Sequence, residues 1–243
     1  MIRLMVNSNA YQRSSSPSKK LRARDPLNRE LAAQGCWRLE AELVRDNALS
    51  VSGLLVEKIG GPSVKPYQPD GYWENLNFPV RSYDASVGTD QYRRGLYVWW
   101  QRSYLHPSLV AFDAPTREEC AAERNRSNIP QQALVLLNDP TYVEASRALA
   151  ARILQEGGPD PNARFRWAWR QVLARNPRAD ELKTIQSLLD RELTQYRADP
   201  AAAQALLKIG QAPLPPGADP SELAAWTNIA RVILNLHETI TRS

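Results

Sequence analysis

Cysteine and histidine are scarce in this chain of 243 residues, with two of each: Cys36, Cys120, His106 and His237. The cysteines form no CxxC, no CxxCH and no zinc spacing, which excludes covalent haem attachment and a thiolate metal centre built from this chain alone. No cofactor and no metal site are therefore expected in it. The histidines belong to no His-x-x-x-His pair and no Ser/His/Asp pattern. There is no GxGxxG turn, no Gly-x-Ser-x-Gly elbow and no Gly-Lys-Ser/Thr phosphate loop. No apolar run approaches the ~20 residues of a membrane span, so no transmembrane segment is expected. Met1-Ile2-Arg3-Leu4-Met5-Val6 lacks the long apolar stretch and cleavage site of a signal peptide. It reads as the middle of an element, as if the chain were the C-terminal part of something longer. No internal repeat is visible.

What is present is ordinary globular material: 43% hydrophobic and 23% charged residues, in a length that can bury a real core. The net charge of +5 is uneven. Residues 1–45 hold nine Lys/Arg against four acids, and the remainder is neutral. Residues 1–26 form a basic leading segment, expected to be mobile, in which Tyr11 is the one aromatic side chain. Without a stacking platform the basic end reads as a solvated or partner-facing surface, and nucleic acid is not an expected partner. One bridge between Cys36 and Cys120 is chemically possible in an oxidising compartment, but buried free thiols are the ordinary expectation.

Helix start signals dominate. Asp-Pro occurs at Asp25-Pro26, Asp139-Pro140, Asp160-Pro161, Asp199-Pro200 and Asp219-Pro220. Aspartate accepts from the free amides of a first turn, and proline fits the first helical position, where no donor is needed. Apolar spacing predicts helices over 39–55, 140–156, 161–174, 179–197, 201–209 and 220–241, with a shorter one opening at Pro130. Residues 57–91 form a Pro/Gly-rich loop region containing Gly60-Gly61-Pro62, Gln68-Pro69-Asp70-Gly71 and Phe78-Pro79. Leu96-Tyr97-Val98-Trp99-Trp100 alternates in strand formers and predicts one short β-strand or hairpin. The expected fold is mainly α: a single helical domain over 1–243 with an irregular Pro/Gly-rich centre.

Three stretches could carry binding chemistry. In Gly60–Pro69 the glycine amides could form an anion nest, with Lys65 adding charge and Tyr67 nearby; a rigid loop packed on helices is the plainer reading. Tyr97 and Trp99, beside Arg93 and Arg94, could stack on sugar rings, although such aromatics more often belong to a core. Asp113 could cap a helix at Pro115, or pair with Arg117 or Arg126. A catalytic role for Asp113 would need a second carboxylate, for which Glu118 is nearest in sequence.

Five ordered strings carry a resemblance: Arg45-Asp46-Asn47-Ala48-Leu49-Ser50-Val51-Ser52-Gly53-Leu54-Leu55, the Gly60–Pro69 loop, Tyr92-Arg93-Arg94-Gly95-Leu96-Tyr97, Phe112-Asp113-Ala114-Pro115, and Gln132-Ala133-Leu134-Val135-Leu136-Leu137-Asn138-Asp139-Pro140. Together they resemble the planctomycete-specific C-terminal domain family, domain of unknown function 1553, from about Asn7 to Arg242. The resemblance implies an exported, extracytoplasmic multidomain parent, often with a cytochrome-c-like neighbour bearing CxxCH. The haem would belong to that neighbour. It implies no catalytic residues. The family's Thr-Asn-Thr-Pro-Leu-Gln-Ala-Leu reads Ser127-Asn128-Ile129-Pro130-Gln131-Gln132-Ala133-Leu134 here, so two hydroxyl-bearing threonines are replaced, one by serine, which keeps a hydroxyl, and one by isoleucine, which does not. The resulting expectation is a non-catalytic interaction module that packs on preceding domains of its parent and exposes apolar surface near its N-terminus. The alternatives are a polysaccharide-active hydrolase, or a glycan-binding module using Tyr97 and Trp99.

Overall fold

Four of the five Asp-Pro pairs start helices in the computed structural model, which describes residues 1–73, 82–102 and 104–242. Asp139, Asp160, Asp199 and Asp219 each accept a backbone amide of the following first turn, and each proline takes the first helical position. Asp25 instead ends a helix and accepts the amides of Arg29 and Glu30 at 2.9 and 2.8 Å. Of the strings in the Pro/Gly-rich region, Phe78-Pro79 lies outside the described residues.

One helical domain is the sequence expectation; the contacts fall into two compact units. The smaller comprises residues 1–39 with the C-terminal residues from His237 onward. It holds α1 (Ile2–Val6), α2 (Lys19–Arg24) and a two-stranded antiparallel sheet, β1 (Trp37–Arg38) with β2 (Thr241–Arg242). Trp37 pairs with Arg242 and Arg38 with Thr241, and the Leu39 N–H extends the ladder to the Ile240 carbonyl at 2.8 Å. Neither helix buries a residue. The leading segment is therefore helical at 2–6 and 19–24.

The larger unit, residues 40–236, contains α3 (Ala41–Ser52), α4 (Pro107–Ala111), α5 (Pro130–Asn138), α6 (Pro140–Glu156), α7 (Pro161–Leu173), α8 (Ala179–Ala198), α9 (Pro200–Leu207) and α10 (Pro220–Leu234). The fold is mainly α, as the spacing predicts. α10 packs on α6, α8 and α9, while α6 also carries α3, α5 and α7. Ala224, Ala225 and Ala230 of α10, with Ala145 and Ala150 of α6, are fully buried, and their small size lets the two helices approach. Around them Leu149, Ile153, Phe165, Trp226, Ile229 and Ile233 leave water altogether. Each such large apolar side chain contributes about 1.5–3 kcal/mol relative to exposure. The Phe165 and Trp226 rings meet at 5.0 Å between centroids.

Three expectations fail in instructive ways. The 96–100 segment is not a strand: a 3-10 turn occupies Gly95–Tyr97, and the one β contact there is a bridge between Val64 and Val98. Gly95 forces this, because a Cβ on it would meet the Glu42 backbone of α3 at 2.9 Å, and its N–H donates to Asp46 Oδ1 at 2.6 Å. The final helix stops at Leu234 rather than 241; Asn235 caps it, a 3-10 turn follows, and β2 takes the end. Asp113 starts no helix. It lies in the left-handed region at φ +61°.

Candidate functional site

The Pro/Gly-rich segment of the larger unit is held by two buried arginines. Arg45 lies on the inward face of α3 among Ala41, Val44, Ala48 and Leu49. Its Nη1 and Nη2 donate to the carbonyls of Arg93 and Gln91, each at 2.6 Å. Burial pushes the Arg45 guanidinium below its ordinary pKa. Arg93 repeats the device one step outward. Its guanidinium donates to the carbonyls of Pro62 at 2.8 Å, Lys58 at 3.3 Å and Gly60, and lies 4.0 Å from the Tyr97 ring centroid. The Gly60 N–H donates to the Tyr97 hydroxyl at 2.8 Å. The loop thus turns carbonyls toward the protein's own cation, the opposite polarity to an anion nest.

Glu144 of α6 is the second centre. It is 1% exposed. The hydroxyls of Tyr67 and Tyr92 donate to it at 3.0 and 2.8 Å, and the amides of Gln211 and Ala212 donate to its Oε1, each at 2.5 Å. Arg147 stands 3.5 Å away and also donates to the Ala212 carbonyl at 2.7 Å. Burial and the neighbouring carboxylate push the Tyr67 hydroxyl up to about 12, and Tyr92 rises for the same reasons. Gly210, at φ +91°, lies so close that a Cβ would overlap the carboxylate. Every donor in this set is part of the chain, so the network fastens the 210–212 loop and the central segment to α6.

The aromatic residues form a third cluster. Trp73 stacks on Tyr83 at 5.7 Å and 14°, and tilts against Trp99 at 5.7 Å and 36° and Tyr104 at 5.2 Å and 46°. The Lys65 ammonium sits over the Tyr83 and Trp99 rings at 5.4 and 5.1 Å. These three rings meet that of Trp73 at angles between 14° and 46°.

The remaining candidates lie apart from these clusters. Asp113 accepts the Ser127 N–H at 2.8 Å and its hydroxyl at 2.7 Å, closing the loop between them. Arg117 lays its guanidinium 3.8 Å from the Trp100 ring centroid, and Arg126 and Glu118 are exposed. Arg124 anchors the same loop by reaching Glu42 at 2.7 Å and Glu40 at 2.8 Å. The seven candidates read from the sequence are therefore divided: Lys65 with Trp99, Tyr67 with Glu144, Tyr97 with Arg93, Asp113 with Ser127, Arg117 with Trp100, and Arg126 on the surface. Both thiols are free and exposed, not buried; Cys120 lies in a wholly exposed stretch, 116–123. Among the described residues no group of three His, Cys, Asp or Glu side chains could hold a metal ion, and no helix is long and apolar enough to cross a membrane.

His106 adds a pH dependence. Its Nε2 faces the Tyr67 carbonyl at 2.7 Å, so Nε2 carries the proton, and Nδ1 accepts from the Ser108 hydroxyl at 2.8 Å. Burial holds it down to about 4. Between the ordinary value near 6.5 and 4 the unfolded chain binds a proton that the folded chain refuses. The stability from this group is complete above that window and lost as pH falls through it, about 3 kcal/mol at most. Asp139, raised to about 6 by burial, acts in the opposite sense, since the folded state takes its proton first. Urea unfolding at pH 7 and 4.5 should therefore show His106→Gln losing ~2 kcal/mol less on acidification than the wild type. Parallel pH profiles would contradict the burial of a neutral imidazole.

The smaller unit carries a different kind of site. A groove of about 830 Å³ has a mostly apolar lining that includes Met5, Tyr11, Leu27, Leu31 and Trp37, with Arg242 among its polar lining residues. Leu27 is 69% exposed, Leu31 72% and Trp37 51%. The loop between the leucines is rigid by construction. Asp25 takes the amides of Arg29 and Glu30, and the Asn28 side chain pairs in both directions with the Ala33 backbone at 2.8 and 3.1 Å. The two amides hold the Asp25 carboxyl below its ordinary range. Leu31 itself sits at φ +50°, a conformation that costs a non-glycine residue about 1 kcal/mol, and the Arg13 guanidinium holds its carbonyl. Strain of this kind persists where surrounding bonds impose it and clusters at functional surfaces. Here it displays an apolar side chain to solvent.

The family model described as protein of unknown function, DUF1553 (PSD1), matches residues 1–189. The chain belongs to this family. The match ends inside α8, earlier than the resemblance read to Arg242, so most of α8's second half, α9 and α10 lie beyond the matched part of this DUF1553 chain. No curated protein and no solved structure matches it.

Proposed function

We propose that this DUF1553 chain is a non-catalytic interaction module that docks onto another polypeptide surface through the groove of its smaller unit. The observation that carries the reading is Leu31, held at positive φ in the wall of an apolar groove and 72% exposed. Apolar walls of this extent mark interaction surfaces. The polar centres of the larger unit support the same reading from the other side, because Arg45, Arg93, Glu144 and Asp113 spend their hydrogen bonds on the chain's own loops. The setting we propose, a preceding domain of an exported, extracytoplasmic planctomycete protein with a cytochrome-c-like neighbour, rests on the resemblance alone.

Site-specific photocross-linking tests the docking. Benzoylphenylalanine replaces Leu31, or Lys183 on the exposed side of α8 as a control, in the protein expressed in its own cells. The label at 31 is expected to give a defined polypeptide adduct, to another chain or another part of the same one, that the label at 183 does not give. Equal yields at both positions, or none, would overturn the proposal.

A further inference from the structure

We infer that the groove is built for an acidic amphipathic polypeptide segment, in which apolar side chains fill the trough and Asp or Glu flank them. This rests on the docking reading above and adds the chemistry of the partner. The smaller unit carries nine Lys/Arg against three acids, a net charge of +6, while the larger unit is close to neutral. The acids in its leading part are already engaged: Asp25 by the backbone amides and Glu30 by Arg24 at 2.6 Å. The surplus is on the surface. Lys19, Lys20 and Arg22 all lie on α2, which buries nothing, and Arg242 stands at the groove itself. A mostly apolar trough lined by Arg242, with Arg13 bonded to the Leu31 backbone, in a unit of net positive charge, selects a partner that is apolar at its centre and anionic around it. A helix laid in a groove satisfies both requirements at once. Concavity favours a polypeptide over a bilayer, whose surface is flat on this scale. The apolar walls favour it over nucleic acid, whose phosphates would gain nothing from Leu27 and Leu31.

A random peptide library displayed on phage tests the inference. The full chain is the bait, and a Leu31→Asp variant with unchanged circular dichroism is the counter-selection. Surviving peptides are expected to space apolar residues three and four apart and to be enriched in Asp and Glu. A synthetic survivor should bind roughly tenfold more weakly at 500 mM than at 50 mM salt, since screening shortens the reach of the unit's positive charge. Arg242→Glu, which leaves the apolar walls in place, should weaken it several-fold. Survivors that depend on Leu31 but show no acidic enrichment would overturn the charge inference and leave the docking reading standing. Absence of any Leu31-dependent survivor would overturn both. Leu31-dependent sedimentation with phosphatidylglycerol vesicles, without peptide survivors, would reassign the groove to a membrane surface.

Discussion

Replacing Glu144 by alanine should lower the melting temperature of the chain by roughly 10 °C. Two tyrosine hydroxyls, two backbone amides and Arg147 all point at this one carboxylate from inside the protein. Removing it leaves a buried guanidinium uncompensated and four donors without an acceptor. Breaking a buried charged network by deleting one partner costs about 3–5 kcal/mol. For a domain near 200 residues each kcal/mol moves the midpoint by about 2–4 °C. The result also separates the scaffold reading from a catalytic one. A carboxylate kept for chemistry is held at some expense to stability, so its removal is commonly neutral or stabilising. Scanning calorimetry on Glu144→Ala and Glu144→Gln gives the answer. A shift below about 3 °C in both would show that the network does not hold the fold.

Arg45 presents the second large effect, with a different balance. Arg45→Met removes a buried charge, which by itself is a gain, but strips the carbonyls of Gln91 and Arg93 of their donors. Hydrogen bonds to charged groups are worth about 1.5–3 kcal/mol each, so the loss wins by roughly 2–4 kcal/mol. Lysine should rescue little. The two carbonyls are spanned by the two ends of one planar fork, which a point-like ammonium cannot copy. Because the Val56 N–H donates to the Tyr92 carbonyl at 3.0 Å, release of the 91–93 backbone should propagate to Val56. Hydrogen exchange should show faster amides at 56 and 91–98, with α6 and α10 unchanged in protection. Full rescue by Arg45→Lys would mean that charge, not fork geometry, holds the segment.

The helices of the larger unit were legible because their signals are local. An aspartate, a proline and an apolar residue every three or four positions suffice to place α6, α7, α9 and α10 within a residue or two at their starts. Segment 95–100 was not legible, because its alternating Leu96, Val98 and Trp100 is overruled by a distant event, the approach of Gly95 to Glu42. The short sheet was equally hidden: Trp37 and Arg242 are neighbours only across the length of the chain.

Site residues divide the same way. Tyr67 and Trp99 were found by type, yet their partners Glu144 and Trp73 were not, since a hydrogen bond between residues 77 apart leaves no spacing to read, whereas Tyr97 and Arg93 are near neighbours in sequence. Arg45 did leave a trace. It is a charged residue on an inward helical face, flanked by Ala41, Ala48 and Leu49, and such a position demands buried acceptors. The groove was anticipated only as apolar surface near the N-terminus. Two of its wall residues, Leu27 and Leu31, belong to a loop with positive φ at Asn28 and Leu31, which no periodicity reports.

The account as a whole holds that binding happens at the groove and that the Pro/Gly-rich centre is internal framework. Hydrogen exchange of the full chain, with and without a peptide selected on it, tests this most directly. The account predicts new protection confined to residues 5–37 and 241–242. Protection appearing instead across 58–73 and 91–102, around Lys65 and Trp99, would contradict it.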